Sequence, residues 1–274
     1  MTVIHDYKLV KRIGTGMYGE VWQAHHIHNK KNVAVKIERK STTNTLKHET
    51  IVLRHLKMLR CIPQFRLFCH SSNYNYIVRE ILGETIDVYF NNIPIKDRIG
   101  EIKWIGVKML ACLREIHENG IIHRDVKPGN FLLSRDKKDI KIIDFGLAKQ
   151  FITTQNHHKP CIKTSKMIGT LRYISTHVHE GYEPSRRDDV ISMVYTIIYL
   201  WEKNLPWQGV TDYVNIHKNQ IVYELKKTSS VAGLGIDISS RIDDMLEYVY
   251  SFTYYDEPDY DYMSFLLKTI DTRE

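Results

Sequence analysis

One stretch of the chain concentrates the side chains best suited to chemistry. Residues Ile122 to Asn130 read I-H-R-D-V-K-P-G-N, and the run I-I-D-F-G follows at 142–146. Phosphoryl transfer needs a carboxylate near the accepting hydroxyl, oxygen ligands for a metal ion and a cation close to the phosphates. The two runs together contain all of these groups.

The polar residues of these runs can each take a part in such chemistry. Asp125 is the predicted catalytic base, and Lys127 is predicted to contact the transferred phosphoryl group. Asn130 and Asp144 offer oxygen atoms to Mg²⁺, which prefers one or two carboxylates together with substrate phosphates. The alternative is a solvated loop that merely contains His, Asp and Asn. The full pattern H-R-D-x-K-x-x-N, followed by a hydrophobic strand and D-F-G, argues against that alternative.

Composition limits the classes of protein that fit. The 274 residues, 43% of them hydrophobic, suffice for one large domain or one domain in two lobes. No apolar run approaches the roughly 20 residues that cross a bilayer, and the first residues do not resemble a signal peptide. We therefore expect the protein in the cytoplasm, the nucleus or both. The net charge of +7 favours an acidic or phosphorylated partner, although nucleic acid would also suit a basic chain.

The N-terminal part predicts a hairpin with a glycine-rich turn. Apolar and polar residues alternate from Tyr7, and Gly14, Gly16 and Gly19 form the pattern G-x-G-x-x-G. Glycines let backbone amides approach phosphates closely. The same pattern marks dinucleotide sites, but there a helix follows the glycines, whereas residues 20–24 read as a strand.

A lysine lies within the next predicted strand, Asn32 to Ile37. A lysine in an apolar run is costly unless its charge is paired, and Lys36 is therefore expected to contact nucleotide phosphates and a carboxylate. The helical pattern from about Thr45 to Leu59 provides Glu49 as the candidate partner. A solvent-facing glutamate remains the alternative for Glu49.

Two further predicted strands lead to a boundary between lobes. The strands are Phe65 to Cys69 and Tyr74 to Glu80, and the pattern breaks at a glycine soon afterwards. We place the hinge near residues 80–84 and expect the backbone groups of Glu80 and Leu82 to contact the nucleotide base.

The rest of the chain predicts mainly helices. Helical periodicity covers about Thr85 to Asn91 and Ile95 to Asn119, and the second helix ends at an Asn-Gly stop. Residues 131–133 and 140–143 read as short strands on either side of a charged turn. Residues 149–166 are polar and without periodicity, which is typical of a functional surface loop.

The motifs together make the chain resemble the casein kinase 1 family of eukaryotic protein kinases over about residues 7–270. The general kinase motifs are G-T-G-M-Y-G-E-V, V-A-V-K, H-R-D-V-K-P-G-N and D-F-G. The narrower motifs are G-T-L-R-Y-I-S at 169–175, E-P-S-R-R-D-D at 183–189, L-P-W-Q-G at 205–209 and D-E-P-D-Y-D-Y-M at 256–263. Like that family, the chain lacks the A-P-E triplet of most kinases.

The resemblance implies an α+β, two-lobed protein kinase fold over residues 1–274. It has an N-lobe of about residues 1–80 with a five-stranded antiparallel sheet and one helix, and a mainly helical C-lobe of about 85–274. The implied activity is that of a monomeric serine/threonine kinase that uses ATP and Mg²⁺. Its implied substrates are proteins with acidic or phosphorylated residues N-terminal to the target, rather than nucleic acids or membranes.

The resemblance also assigns site residues. Asp189 would brace the backbone of the catalytic loop, and Lys127 favours Ser/Thr over Tyr as the acceptor. The anion pocket for the substrate would comprise Arg172, Gly209 and Lys218. The nucleotide would be bound by a larger set: Ile13, Gly14, Gly16, Gly19, Val21, Ala34, Lys36, Glu49, Glu80 and Leu82.

One departure from the family pattern concerns the position behind the adenine. Alignment on Ile81-Leu82-Gly83 puts Arg79 there, where the family typically has Met. This arginine would pair with Glu49 or reshape the pocket behind the base. A pseudokinase that docks phosphopeptides without turnover is the rival interpretation, but Lys36, Asp125 and Asp144 are all present.

Overall fold

The computed structural model describes residues 3–16, 19–40, 45–210, 215–228 and 240–271. The chain divides into two compact units. The N-terminal unit comprises Met1–Glu84 and Leu132–Leu147, and the C-terminal unit comprises Thr85–Phe131 and Ala148–Glu274. Residues 132–147, which the sequence analysis assigns to the C-lobe, thus belong to the unit that contains the large sheet.

The N-terminal unit is built on a six-stranded antiparallel sheet. Its strands are β1 Val3–Ile4, β2 Tyr7–Gly16, β3 Gly19–His26, β4 Asn32–Arg39, β5 Phe65–His70 and β6 Tyr74–Glu80. They lie in the order β1-β2-β3-β4-β6-β5. The five predicted strands are present, and the sixth, β1, has two residues and is too short to show any period in the sequence.

The two faces of this sheet have different roles. Because side chains alternate along a strand, Val33 and Val35 point to one face, where they join a hydrophobic core with Ala24 and Val78. Ala34, Lys36 and Glu38 therefore point to the other face. We call that other face the lysine face.

Helix α1, Thr45–His55, packs against β6, and its first turn is hydrogen-bonded to a side chain of β4. The Glu38 carboxylate accepts hydrogen bonds from the Thr45 hydroxyl and the Leu46 amide, which caps the first turn. The helix was predicted to continue to Leu59 but ends at His55, where a turn follows. Its buried residues, Leu46, Glu49 and Leu53 among them, recur at helical spacing.

Four short strands complete the described β structure. β7, Ile121–Ile122, pairs with β10, Lys149–Gln150, while β8, Phe131–Leu133, pairs with β9, Ile140–Ile142. The segment after β10 is largely irregular, as predicted, apart from isolated bridges such as Lys163 with Tyr182.

The C-terminal unit is helical and centres on α5, Arg186–Glu202, most of whose residues are buried. Helices α3, Arg98–Glu118, and α7, Ser240–Tyr250, pack on α5, and α8, Tyr260–Lys268, packs on α3 and α7. A 3-10 turn occupies the start of the predicted Ile95–Asn119 helix, so α3 begins later than expected. The helices are α2 Ile86–Asn91, α3 Arg98–Glu118, α4 Thr176–His179, α5 Arg186–Glu202, α6 Asn215–Thr228, α7 Ser240–Tyr250 and α8 Tyr260–Lys268. Among the described residues, none of the helices combines the length and the apolar character that crossing a membrane requires.

Candidate active site

Asp125 lies at the centre of a hydrogen-bonded cluster in the C-terminal unit. The Lys127 Nζ atom donates to Asp125 Oδ2 over 2.7 Å, and the Thr170 hydroxyl donates to Asp125 Oδ1 over 2.7 Å. Lys127 Nζ also donates to Thr170 Oγ1 over 3.1 Å, which closes a triangle of three side chains. Because the carboxylate is buried and held on both oxygens, its orientation is fixed before any substrate arrives.

Asn130 is bound to the same residue. Its Nδ2 atom donates to the Asp125 carbonyl oxygen over 2.8 Å and lies 3.3 Å from Asp125 Oδ2. Since the amide nitrogen is committed to the loop, the carboxamide oxygen is the atom that Asn130 offers to a metal ion.

Asp189, near the start of α5, braces the loop that carries Asp125. Its carboxylate accepts the backbone amides of His123 and Arg124 over 2.6 and 2.8 Å and contacts His117 Nε2 at 3.0 Å. Burial alone would raise the pKa of Asp189, but the hydrogen bonds and charge of His117 and the His123 amide outweigh it and lower the pKa. Asp189 therefore stabilises the loop as an anion.

The backbone that Asp189 holds is strained. Arg124 has a φ of +67°, a left-handed conformation that costs a non-glycine residue about 1–2 kcal/mol. Gly169, at φ +105°, passes so close that a Cβ there would lie 2.6 Å from the Arg124 carbonyl oxygen. Only glycine fits at this point, which explains the glycine that precedes Thr170.

Lys36 is paired within the N-terminal unit. Its Nζ atom lies 2.6 Å from Glu49 Oε2 and 2.7 Å from Asp144 Oδ1. Burial alone would lower the pKa of Lys36, but the charges of Glu49 and Asp144 outweigh it and raise the pKa above its ordinary value. Lys36 is thus a fixed cation, with Glu49 facing it rather than solvent.

Arg79 does not form the ion pair with Glu49 that the sequence allowed. Both Glu49 Oε1 and Arg79 Nη1 are buried without a hydrogen-bond partner in the described ranges, and the other Glu49 oxygen is held by Lys36. The structure thus rules out the first of the two roles considered for Arg79 and leaves the second, a changed pocket.

The glycines of the G-x-G-x-x-G pattern lie where β2 and β3 meet: Gly16 ends β2, Gly19 begins β3, and the two residues are paired. The predicted turn between them, residues 17 and 18, lies outside the described residues. Gly14 lies opposite Val21 in this strand pair. Gly19 has a φ of +131°, and a Cβ there would lie 2.0 Å from the Ile37 carbonyl oxygen, so that a side chain is excluded. Ile13 on β2 is largely exposed, whereas Ala34 on β4 is buried on the lysine face.

The hinge segment is hydrogen-bonded to Leu133 at its C-terminal end, whereas the backbone groups of Leu82 are available to a ligand. The Gly83 amide donates to the Leu133 carbonyl and the Leu133 amide donates to the Glu84 carbonyl, over 2.8 and 2.9 Å. Neither the amide nor the carbonyl of Leu82 forms a hydrogen bond with a residue that the structure describes. Leu82 therefore offers one donor and one acceptor, as a base contact requires.

The three residues of the predicted anion pocket are only partly brought together. The Arg172 carbonyl accepts a 2.7 Å hydrogen bond from Trp207 Nε1, which ties Arg172 to the turn that contains Gly209. The Arg172 guanidinium lies over the Tyr199 ring at 5.3 Å. Within the described ranges, no hydrogen bond, ion pair or ring contact joins Lys218 to Arg172, and Lys218 lies on a separate element, α6.

Sequence reasoning missed one cation that shapes this region. Lys226 on α6 is buried and donates to the carbonyls of Leu171 and Ile174 over 2.8 and 2.6 Å. Burial lowers the pKa of Lys226 well below its ordinary value. A signal existed in the sequence: Lys226 follows the apolar Val222 by four residues and so shares its helix face.

Comparison with known proteins assigns the class. Residues 7–255 match the Protein kinase domain family, and the chain therefore belongs to the protein kinases. A curled antiparallel sheet in one unit and helices in the other agree with the two-lobed fold of that family.

A curated relative gives the particular comparison. The chain is 32% identical over 266 residues to a probable serine/threonine-protein kinase of Dictyostelium discoideum. The match covers 95% of this chain and 52% of the relative, so the chain spans about half the length of the relative that it matches.

Proposed function

We propose that the chain is a serine/threonine protein kinase of the casein kinase 1 type, which transfers the γ-phosphoryl group of ATP to protein substrates. The observation that carries this proposal is the cluster around Asp125. The buried Asp125 carboxylate is held by hydrogen bonds from Lys127 and Thr170, and this fixed orientation supports its proposed role as the acceptor of a hydroxyl proton. The relative's printed description as a serine/threonine-protein kinase supports the choice of acceptor.

Residues of each unit have a proposed part in the reaction. In the N-terminal unit, Lys36 is held by Glu49 and would contact the nucleotide phosphates, and Asp144 would be a carboxylate ligand for Mg²⁺. In the C-terminal unit, Asn130 would offer its carboxamide oxygen to the metal, and Lys127 would neutralise charge at the transferred group. These hard oxygen donors suit Mg²⁺, which when bound with ATP neutralises phosphate charge.

The same proposal extends to the substrate. Arg172 is a cation bound through its carbonyl to a turn with an exposed glycine, and Arg presents a planar fork that matches phosphate. Lys218 is a further cation on α6. We propose that Arg172, Gly209 and Lys218 receive an acidic or phosphorylated residue that precedes the target. We further propose that the protein acts as a monomer in the cytoplasm or the nucleus, on proteins rather than on nucleic acids or membranes.

The test compares two peptides that differ only in a phosphoserine three residues before the target serine. With Mg²⁺ and ATP, the native protein should transfer phosphate to the primed peptide at a kcat/KM about 10-fold or more above that for the unprimed peptide. Arg172→Gln should remove most of that ratio, and Arg135→Gln, at an exposed position in the other unit, should leave it unchanged. Binding of the primed peptide without transfer would instead favour a pseudokinase.

A further inference from the structure

Arg79 is a buried cation without a partner among the residues that the structure describes. Only 6% of the residue is exposed, and its Nη1 atom is fully buried with no acceptor from those residues. No ion pair or hydrogen bond involving its side chain is found in the described part of the chain. Burial of an unpaired charge lowers the stability of the folded protein, so folding alone does not account for an arginine at this position.

The register of the sheet shows which way Arg79 points. Arg79 lies directly opposite Ala34, and Ile77 lies directly opposite Lys36, in the antiparallel ladder of β4 and β6. Residues opposite each other in such a ladder share a face of the sheet. The Arg79 side chain is therefore on the lysine face, next in sequence to Glu80 and three residues before Leu82.

The two carboxylates that pair with Lys36 do not pair with Arg79. Lys36 Nζ lies 2.6 Å from Glu49 Oε2 and 2.7 Å from Asp144 Oδ1, and Glu49 Oε1 is buried without a partner among the described residues. The Arg79 guanidinium has N–H donors and no acceptor, so it can form hydrogen bonds only with an acceptor of a ligand bound on this face beside the hinge.

We propose that Arg79 is a specificity-determining residue that reads the 6-position of the purine base and favours a 6-oxo group, so that the kinase uses GTP as well as ATP. Guanine presents a carbonyl acceptor at that position, whereas adenine presents an amino donor that a guanidinium repels. Leu82 offers both an amide donor and a carbonyl acceptor, so the hinge backbone can pair with either base. The inference rests on the proposed function, because it assigns the base to the hinge beside Lys36.

The test is the ratio of kcat/KM for MgGTP to kcat/KM for MgATP with one serine peptide. Arg79→Met should lower this ratio about 10- to 100-fold, since a charged hydrogen bond to the base is lost and the repulsion of adenine is relieved. Arg79→Gln, whose carboxamide can both donate and accept, should give a ratio between the two. Arg39→Met, at an exposed position on β4, is the matched control and should leave the ratio unchanged.

A second readout separates this inference from the proposed function. In Arg79→Met, the dissociation constant of MgGDP, measured by calorimetry, should rise relative to that of MgADP, in agreement with the fall of the kinetic ratio. A ratio that stays within twofold of native in Arg79→Met, by turnover or by binding, would overturn the inference while leaving the kinase proposal intact. A binding ratio that shifts without phosphate transfer would support the inference and contradict the proposed activity. Failure to bind either nucleotide would overturn both.

Discussion

At the scale of single residues, the most informative feature is the contrast between two buried cations on one sheet face. Lys36 is paired with two carboxylates, and its pKa is raised. Arg79 is equally buried and has no partner among the described residues. The paired charge of Lys36 costs the folded protein little stability, whereas the unpaired charge of Arg79 must lower its stability.

This contrast predicts that Arg79→Met stabilises the protein. Removal of the unpaired buried charge should raise the free energy of unfolding by about 1–3 kcal/mol, since methionine fills similar volume without the desolvation cost. Urea denaturation of the native and variant proteins without nucleotide measures the difference. The exposed Arg39→Met substitution should change the free energy of unfolding by less than about 0.5 kcal/mol. A destabilisation by Arg79→Met would show that the guanidinium is satisfied after all.

At the scale of elements, the structure shows how helices position the loops. Helix α5 supplies Asp189 to the backbone of the loop that bears Asp125. Helix α6 supplies Lys226 to the carbonyls on either side of Arg172 and Tyr173. In both cases one side chain on a helix binds two backbone groups of a loop.

Asp189 predicts a particular dependence of stability on pH. Its pKa in the folded protein is below the ordinary value, so its stabilisation is complete above the unfolded pKa of about 4 and is lost as the pH falls further. Asp189→Asn should lower the free energy of unfolding at pH 7 by about 2–3 kcal/mol, since hydrogen bonds to a charged group are weakened. The difference between the two proteins should shrink between pH 5 and pH 3 in urea titrations.

The control for this pH dependence is Asp97→Asn, because Asp97 is exposed and its side chain caps no helix. Its difference from the native protein should be small at every pH. A cost of Asp189→Asn that stays constant down to pH 3 would contradict the role of the anion.

Lys226 predicts coupling between α6 and the anion pocket. Lys226→Met would leave the carbonyls of Leu171 and Ile174 without their donor, and we expect a loss of about 2–3 kcal/mol in stability. The preference for a primed peptide should also fall, because Arg172 lies between those carbonyls. Lys227→Met, at the exposed neighbouring position, should alter neither property. Unchanged peptide preference in Lys226→Met would separate the helix from the pocket.

At the scale of the whole molecule, secondary structure was predicted well where apolar residues recur with a regular period or where glycines interrupt the pattern. The β2–β3 hairpin, the lysine-bearing strand and the breaks at glycine followed from patterns of two or 3.6 residues. The sequence predicted poorly those element boundaries and short strands that depend on contacts between residues distant in the chain. The sixth strand was too short to show a period, and the premature end of α1 at His55 has no sequence marker before Pro63.

The candidate site shows the same division. The motifs predicted Asp125, Lys127 and Asn130 as a group, and the structure brings them into hydrogen-bonding contact. They did not predict that Thr170 would donate to Asp125, because the two residues are 45 positions apart. The burial of Lys226 was missed because a lysine in a helix is usually solvated, although its four-residue spacing from the apolar Val222 marked the buried face.

The measurement that tests the central claim most directly is transfer of labelled γ-phosphate from MgATP to a serine peptide under single-turnover conditions. The native protein should show transfer, and Asp125→Asn should lower its rate by about 100-fold or more, since the proton acceptor is lost while the fold is kept. Asp136→Asn, at an exposed turn, should react at the native rate. Equal rates for the native protein and Asp125→Asn would contradict the assignment of Asp125, and absence of transfer by the native protein would contradict the proposed activity.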